Sequence, residues 1–400
     1  MKKILIFGTY PIARPQHGGQ LRVSAIVDQY KESGHRVKYV GIYDKTFYED
    51  YGSNDILLVP QQSQVVLDGY ISDIRAGKET WDNNSVRAKI IAAIHDFQPN
   101  VIQIEQAFPY LGIKKIIENT GWKGVLIYSS HNVEYELKDS ILATDKRIDN
   151  AIRQQTVDAI KQLEQELLQA ADFTIVCTDA DKKKYKKIAP ETSYILAPNG
   201  ISARKVIIDK VHTLAKSYET KGVNKVIVYV GSAHPPNLTG FEDMIGYGTA
   251  FLPGNSKLVI IGGVSDLLWG ALQQQPNYMQ VAFEKRVEFL GKVSDDELAA
   301  YLSLADTIVL PITEGGGSNL KTAEAILSGA KIVATSHAFR SYERYEKLPG
   351  FWFANTQEEF REAICSALDS PAINRNEADR KLASGVEWKN TLSAVAEIFK

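Results

Sequence analysis

Residues 307–335 read Thr307-Ile-Val-Leu-Pro-Ile-Thr-Glu-Gly-Gly-Gly-Ser-Asn-Leu-Lys-Thr-Ala-Glu-Ala-Ile-Leu-Ser-Gly-Ala-Lys-Ile-Val-Ala-Thr335. A short apolar run, a glycine-rich turn, a helical stretch over 320–327, a glycine stop and a second apolar run succeed one another. This order predicts two parallel strands joined by a helix on the face of their sheet. Gly315, Gly316 and Gly317 carry no side chains, so a ligand can come close to the backbone N–H groups. Ser318 is placed to cap the helix, whose free N–H groups and dipole favour an anion such as phosphate. Lys321, in the first turn, opposes that dipole and makes better sense if an anion meets it. Glu324, about a turn further on, can accept two hydrogen bonds from a ribose diol. The competing reading is a flexible turn followed by an exposed glutamate. The loop is neither G-x-G-x-x-G nor a Walker A sequence, since no Gly-Lys-Ser/Thr is present.

The same rhythm runs outward in both directions. Before this stretch, 4–7, 36–42, 101–105, 125–129, 173–178 and 194–196 read as strands. Helices are expected at about 20–32, 86–97 and 150–169, the last with Ile152, Val157, Ile160, Leu163 and Leu167 on one stripe. Strands recur at 226–230, 258–261, 287–290, 307–310 and 332–334, with a further helix at 295–305. The polar, charge-rich stretch 202–224 has the composition of a boundary. Strands alternating with helices of ten or more residues imply parallel sheets covered on both faces. The expected fold class is α/β, with two doubly wound, Rossmann-like domains facing a cleft. Residues 1–198 form the first domain and 199–386, including 202–224, the second. An amphipathic helix over 387–400, with Trp388, Leu392, Val395 and Phe399 on its apolar side, is expected to pack back on the first.

The 400 residues hold 46 Lys plus Arg against 48 Asp plus Glu, a formal charge of −2, which argues against a general nucleic-acid binder. Two cysteines, Cys177 and Cys365, exclude a disulfide scaffold and point to a reducing compartment. Residues 4–7 are too short an apolar run for a signal peptide, and no run of about 18 apolar residues predicts a membrane-spanning helix. A cytoplasmic location is expected. The lysines at 182, 183, 184, 186 and 187 form either a solvated helix face or a contact with anionic lipid. No His-x3-His spacing is present to suggest a metal site.

The segment Gly317-Ser-Asn-Leu-Lys-Thr-Ala-Glu-Ala325, with Leu310-Pro311 before it and Gly329-x-x-Ile-Val-Ala-Thr335 after it, resembles the donor-site signature of the family-4 retaining glycosyltransferases of GT-B fold. Pro198-Asn199-Gly200 is similar to that family's interdomain turn, and Val230-Gly231 to the start of its second domain. Residues 289–298 and Ala305-Asp306 resemble the segments ahead of its donor loop. Gly18-Gly19 and residues 34–37 resemble its N-terminal loop and first-helix exit.

The resemblance implies a glycine loop that binds the donor diphosphate through backbone amides, and a Glu-x7-Glu pair whose second member holds the ribose. Glu324 matches the second glutamate. The first falls on Gly316, with Glu314 two places off. The Arg and Lys that the family commonly carries after Val-Gly are replaced by Ser232 and, approximately, Asn237, so Lys321 is expected to supply part of their charge. The implied donor set is Gly231, Ser232, Glu314, Gly315, Gly316, Gly317, Ser318, Asn319, Leu320 and Glu324.

In the first domain, His131 resembles the family's histidine near the transferred sugar, and with Lys321 it forms the expected catalytic pair. A structural hydrogen-bonding histidine is the alternative. His17, Gly18, Gly19 and Glu105 are expected on the acceptor side, although His17 also reads as a loop histidine and Glu105 as a satisfied strand end. His234 either touches the ligand or shapes its loop. The implied activity is transfer of a sugar from a UDP- or GDP-linked donor to a hydroxyl of a glycan or lipid-linked acceptor, with retention and without metal or cofactor. Two alternatives stand beside it: a nucleotide- or glycan-binding partner protein that has lost catalysis, and a nucleotide-sugar epimerase.

Overall fold

A computed structural model describes residues 1–15, 17–48, 51–59, 72–144, 148–315 and 318–399. The chain divides into two units, Met1–Pro198 with Thr391–Lys400, and Asn199–Asn390. Unit 1 contains strands β1 (Lys3–Gly8), β2 (Arg36–Asp44), β3 (Ile56–Leu58), β4 (Val101–Glu105), β5 (Val125–Ser129), β6 (Phe173–Val176) and β7 (Ser193–Leu196). They form one sheet in the order β3-β2-β1-β4-β5-β6-β7, and every pairing is parallel. Unit 2 contains β8 (Lys225–Val230), β9 (Ser256–Ile261), β10 (Val287–Gly291), β11 (Thr307–Leu310), β12 (Lys331–Ala334) and β13 (Phe351–Phe353). Its sheet, β10-β9-β8-β11-β12-β13, is again wholly parallel. The expected α/β, doubly wound fold is present in each unit.

Strand residues alternate between the two faces of a sheet. In unit 2, Val226, Val228, Ile308, Leu310, Ile332 and Ala334 enter one core, while Ile227, Tyr229, Val309 and Val333 enter the other. Both faces are therefore dry, which is why these strands read as unbroken apolar runs.

In such open sheets ligands sit beyond the carboxyl ends of the strands, where the strand order reverses. That reversal falls between β1 and β4 in unit 1, and between β8 and β11 in unit 2. The segments that follow these four strands begin at Thr9, Gln106, Gly231 and Pro311. They contain or adjoin almost every expected site residue.

The stretch 202–224 is not a plain boundary. A helix at Ile208–Thr220 lies within it, inside unit 2. Only Tyr218 of this helix is buried, and Lys210 pairs with Asp296 at 3.1 Å. The apolar stripe of this helix, with Leu214 and Tyr218 against the core, is narrow, and the charged residues around it give the stretch a linker's composition. The C-terminal segment is not one helix either, but two single turns, Trp388–Thr391 and Ser393–Ala396. The weak helix formers Asn390 and Thr391 stand at the break. Leu392 and Val395 are fully buried, and Phe399 lies 5.9 Å from the Tyr30 ring. The lysine run occupies a helix at Asp179–Ile188, whose buried residues are Asp181 and Tyr185, and Lys184 pairs with Glu136. Among the described residues no helix is long and apolar enough to cross a membrane.

Gly240, in the helix Pro235–Met244, sets the path of the segment after β11. A Cβ built there would lie 2.1 Å from the Pro311 carbonyl oxygen. Gly240→Ala is expected to destabilise unit 2 by about 1–3 kcal/mol, the usual cost of overpacking a fitted core. Urea unfolding of the variant checks this, and an unchanged midpoint would refute the contact.

Candidate functional site

At the carboxyl end of β8, Gly231 donates its N–H to the Ile261 carbonyl at 2.9 Å. The chain then turns through Ser232 and His234 into the helix Pro235–Met244. Asn237, in the first turn, is buried and donates from Nδ2 to the Ser232 carbonyl at 2.9 Å and to its Oγ at 3.2 Å. Its Oδ1 accepts a hydrogen bond from Lys321 Nζ at 2.6 Å. Ser232 and Asn237, and the sequence-distant Lys321, therefore form one chain of contacts across the β8–β11 reversal.

Lys321 sits in the first turn of the helix Leu320–Ser328. Burial pushes its ammonium down to about 8, against a smaller opposing pull from Glu324. Among the described residues it has no carboxylate within ion-pair distance. His234 lies close enough for the lysine charge to reinforce burial in lowering its pKa.

Asn319, not Ser318, caps this helix, accepting the Lys321 N–H on Oδ1 at 3.1 Å. Ser318 has a different task. Its Oγ accepts the Asn199 N–H at 3.1 Å, and its carbonyl accepts Asn199 Nδ2 at 3.1 Å, which ties the Pro-Asn-Gly turn to the glycine loop. Leu320 is the first helical residue. Gly315 adopts φ +113°, a conformation that favours glycine. Its carbonyl lies 3.2 Å from His337 Nε2, and Glu314 beside it is exposed. Gly316 and Gly317 lie outside the described residues.

Glu324 does not stand free. Arg204 donates from Nε at 3.0 Å and from Nη2 at 2.6 Å, both to Oε1 of Glu324, and from Nη1 to Asp295 at 2.6 Å. A pocket of about 160 Å³ opens beside the pair, lined by Ser202, Ala299, Leu302, Leu327 and Ser328 among others.

In unit 1, His17 precedes the helix Gly18–Glu32, and its N–H donates to Gln20 Oε1 at 3.3 Å. Gly19 leaves room for Tyr10, whose hydroxyl would lie 2.8 Å from any Cβ there. The Tyr10 ring stands edge-on to His17 at 5.2 Å, and its hydroxyl is 3.1 Å from His131 Nδ1. His131 Nε2 lies 2.7 Å from Glu105 Oε2, and Glu105 Oε1 accepts from Gln103. Glu105 is fully buried and His131 is 8% exposed. The structure thus brings His17, Gly19, Glu105 and His131 into one cluster, with both nitrogens of the His131 ring occupied. Partial burial lowers the His17 pKa, and the nearby His131 lowers it further.

Arg204 and Glu134 carry no sequence signal. Arg204 lies in the boundary-like stretch, and nothing in its neighbours marks it. Glu134 opens the helix Glu134–Thr144 fully buried, and that burial raises its carboxyl to about 8. His337 follows β12, and its strand-end position was the available clue. Cys177 is a buried free thiol raised to about 11 by burial, and Cys365 is free and partly buried. Among the described residues no group of three or more His, Cys, Asp or Glu is placed to hold a metal ion.

Residues 224–370, most of unit 2, match the family model described as glycosyl transferases group 1. No curated protein sequence matches the chain. Among solved structures, sucrose-phosphate synthase from Thermosynechococcus elongatus superposes with a TM-score of 0.70 at 15% identity, over 100% of this chain and 98% of that one. HepE from Anabaena, solved with UDP, gives 0.64 at 16% identity over 99% and 98%. WaaG, a glycosyltransferase involved in lipopolysaccharide biosynthesis, gives 0.58 at 15% identity over 100% and 99%. These likenesses span both units, and the chain has the two-domain GT-B fold.

Proposed function

We propose that the protein transfers a sugar from a nucleoside-diphosphate donor to a hydroxyl group of a glycan or lipid-linked acceptor. The observation that carries this reading is Lys321, a half-buried ammonium at a helix start whose Nζ, among the described residues, donates to one group, a neutral amide. A cation so placed is short of countercharge, and a diphosphate supplies it. The glycine loop and the helix N-terminus add backbone N–H groups and a favourable dipole for the same anion. HepE was crystallised with UDP and with UDP-glucose, which supports a uridine donor among the possibilities.

In this reading unit 2 holds the donor. Gly231, Ser232, Glu314, Gly315, Ser318, Asn319 and Leu320 surround the diphosphate, and Glu324 meets the ribose. Lys321 carries charge that grows on the leaving diphosphate as the glycosidic bond breaks, and stabilising that charge is the main catalytic demand. No metal is needed for it. The acceptor hydroxyl attacks on the face that the leaving group departs from, so the anomeric configuration is retained. His17, Gly18, Gly19 and Glu105 serve the acceptor side, and His131 lies near the transferred sugar. His131 meets a sugar hydroxyl by exchanging the Tyr10 hydroxyl for it at Nδ1.

A second reading, a binding protein without turnover, draws on the replacement of the usual cation by Ser232 and on the displaced Glu314. Release of free UDP or GDP from a panel of sugar donors, with and without an acceptor glycan mixture, separates the two. Acceptor-dependent release of one diphosphate is expected. Tight binding with no release from any donor would favour the second reading.

A further inference from the structure

Glu324 is engaged by a residue that neither the glycine loop nor the helix supplies. Arg204 arrives on the segment that follows Pro198-Asn199-Gly200, and this segment is pinned along its length. Asn199 is bonded twice to Ser318, and the Tyr342 hydroxyl donates to the Asn199 carbonyl at 3.0 Å. Ile201 is bridged to Glu387, with its N–H donating to the Val386 carbonyl at 2.9 Å. Arg204 is thus delivered by fixed backbone, three residues beyond that bridge.

The geometry of the pair is one-sided. Nε and Nη2 both donate to Oε1, and among the described residues Glu324 Oε2 accepts no hydrogen bond. The carboxylate is 12% exposed, against 91% for Asp295, the other partner of Arg204. The Asp295 contact is open to water and contributes little, whereas the Glu324 contact is largely sheltered and directional. Two donors on one oxygen fix the carboxylate plane and leave the second oxygen to accept from something else.

We propose that Arg204 is a positioning residue, which orients Glu324 so that its free oxygen receives the ribose hydroxyls of the donor. The inference rests on the reading of Glu324 as the ribose partner. It extends the donor site to the segment entering unit 2, since the backbone that ties down the glycine loop at Ser318 also aims the ribose carboxylate.

The test is calorimetric titration of the full chain with UDP and with 2′,3′-dideoxy-UDP, and in parallel with GDP and 2′,3′-dideoxy-GDP. The wild type is expected to prefer the hydroxylated form of its nucleotide by about tenfold or more, the range for hydrogen bonds to a charged group. Arg204→Ala is expected to weaken binding of that form about tenfold and to leave the dideoxy form within about twofold. Glu324→Gln is expected to do the same, with no further loss in the double variant. Arg204→Lys, which keeps the charge but not the paired donors, should fall between wild type and Arg204→Ala. Thermal unfolding of each variant confirms that it is folded.

If Arg204→Ala weakens both forms equally, leaves the preference intact or tightens binding, the positioning role is overturned while the donor reading stands. If the wild type binds the two forms equally, Glu324 is not the ribose partner, and both fall. If it binds no nucleotide, the proposed function itself falls.

Discussion

Lys321→Met weakens nucleoside diphosphate binding by about a hundredfold and removes its dependence on alkaline pH. Truncating one partner of a buried charge pair costs about 2–5 kcal/mol, and each 1.4 kcal/mol is tenfold in affinity. Lys321 belongs near the low end of that range because it is half-buried at a helix start, with Asn237 as its hydrogen-bond partner. The pH dependence follows from burial, which sets its pKa at about 8 in the ligand-free chain.

A bound diphosphate favours the ammonium and raises that pKa, so binding takes up a proton once the free lysine has begun to lose it. Affinity is therefore flat from about pH 7, where the terminal phosphate has already shed its last proton, to just below 8. Above 8 it falls by up to about tenfold per unit. Titrations of wild type and Lys321→Met in buffers of different ionisation enthalpy measure both the affinity and the proton uptake. Equal affinities, or a profile that rises through pH 8 to 9, would refute the role assigned to this residue.

Glu105→Ala lowers the stability of unit 1 by about 3–5 kcal/mol, the range for leaving one half of a buried polar pair unmatched. The carboxylate is wholly enclosed, and its two oxygens serve two groups, His131 Nε2 at 2.7 Å and the Gln103 amide. Removing it strands both in the interior, where each unpaired group costs about 1–3 kcal/mol. In a unit of this size that shifts the melting temperature by roughly 10 °C. Glu105→Gln keeps the volume and one acceptor, and is expected to cost about 1 kcal/mol. A melting curve for Glu105→Ala that overlays the wild type would show that water already reaches the cluster. The same substitution releases the His131 ring, so acceptor-dependent turnover should fall in both variants while donor affinity stays unchanged.

Much of this was readable in the sequence because apolar periodicity reports burial. The stretch 307–335 fell out as strand, loop, helix and strand with bounds close to Thr307–Leu310, Leu320–Ser328 and Lys331–Ala334. The three-residue edge strands Ile56–Leu58 and Phe351–Phe353 were not. The helix Ile208–Thr220 has an apolar stripe, with Leu214 and Tyr218 on the core, but the charged residues around it gave the whole stretch a linker's composition.

Side-chain partnerships across sequence distance were the other blind spot. Asn237 was noted as the place of a missing cation, but nothing local reveals that its amide would hold Lys321, 84 positions away. Arg204 and Glu324 are 120 positions apart, and no spacing rule links them. Ser318 and Asn319 are both good cap residues, and only the backbone path decides that Asn319 caps the helix while Ser318 turns to Asn199. Glu164 sits within the apolar stripe of its helix. There it is fully buried, accepting from Tyr128 at 2.9 Å and Tyr185 at 2.6 Å, a polar exception that periodicity alone passes over.

The central claim is that unit 2 holds a nucleoside diphosphate against Lys321. Thermal unfolding of the full chain at pH 7 with UDP, GDP, ADP and TDP tests it most directly. Ligand at a hundred times its dissociation constant stabilises the folded state by about 2.7 kcal/mol, or roughly 5–10 °C for a unit of this size. One diphosphate is predicted to give such a rise in the wild type and little or none in Lys321→Met. Four flat curves for the wild type, or an equal rise in the variant, would contradict it.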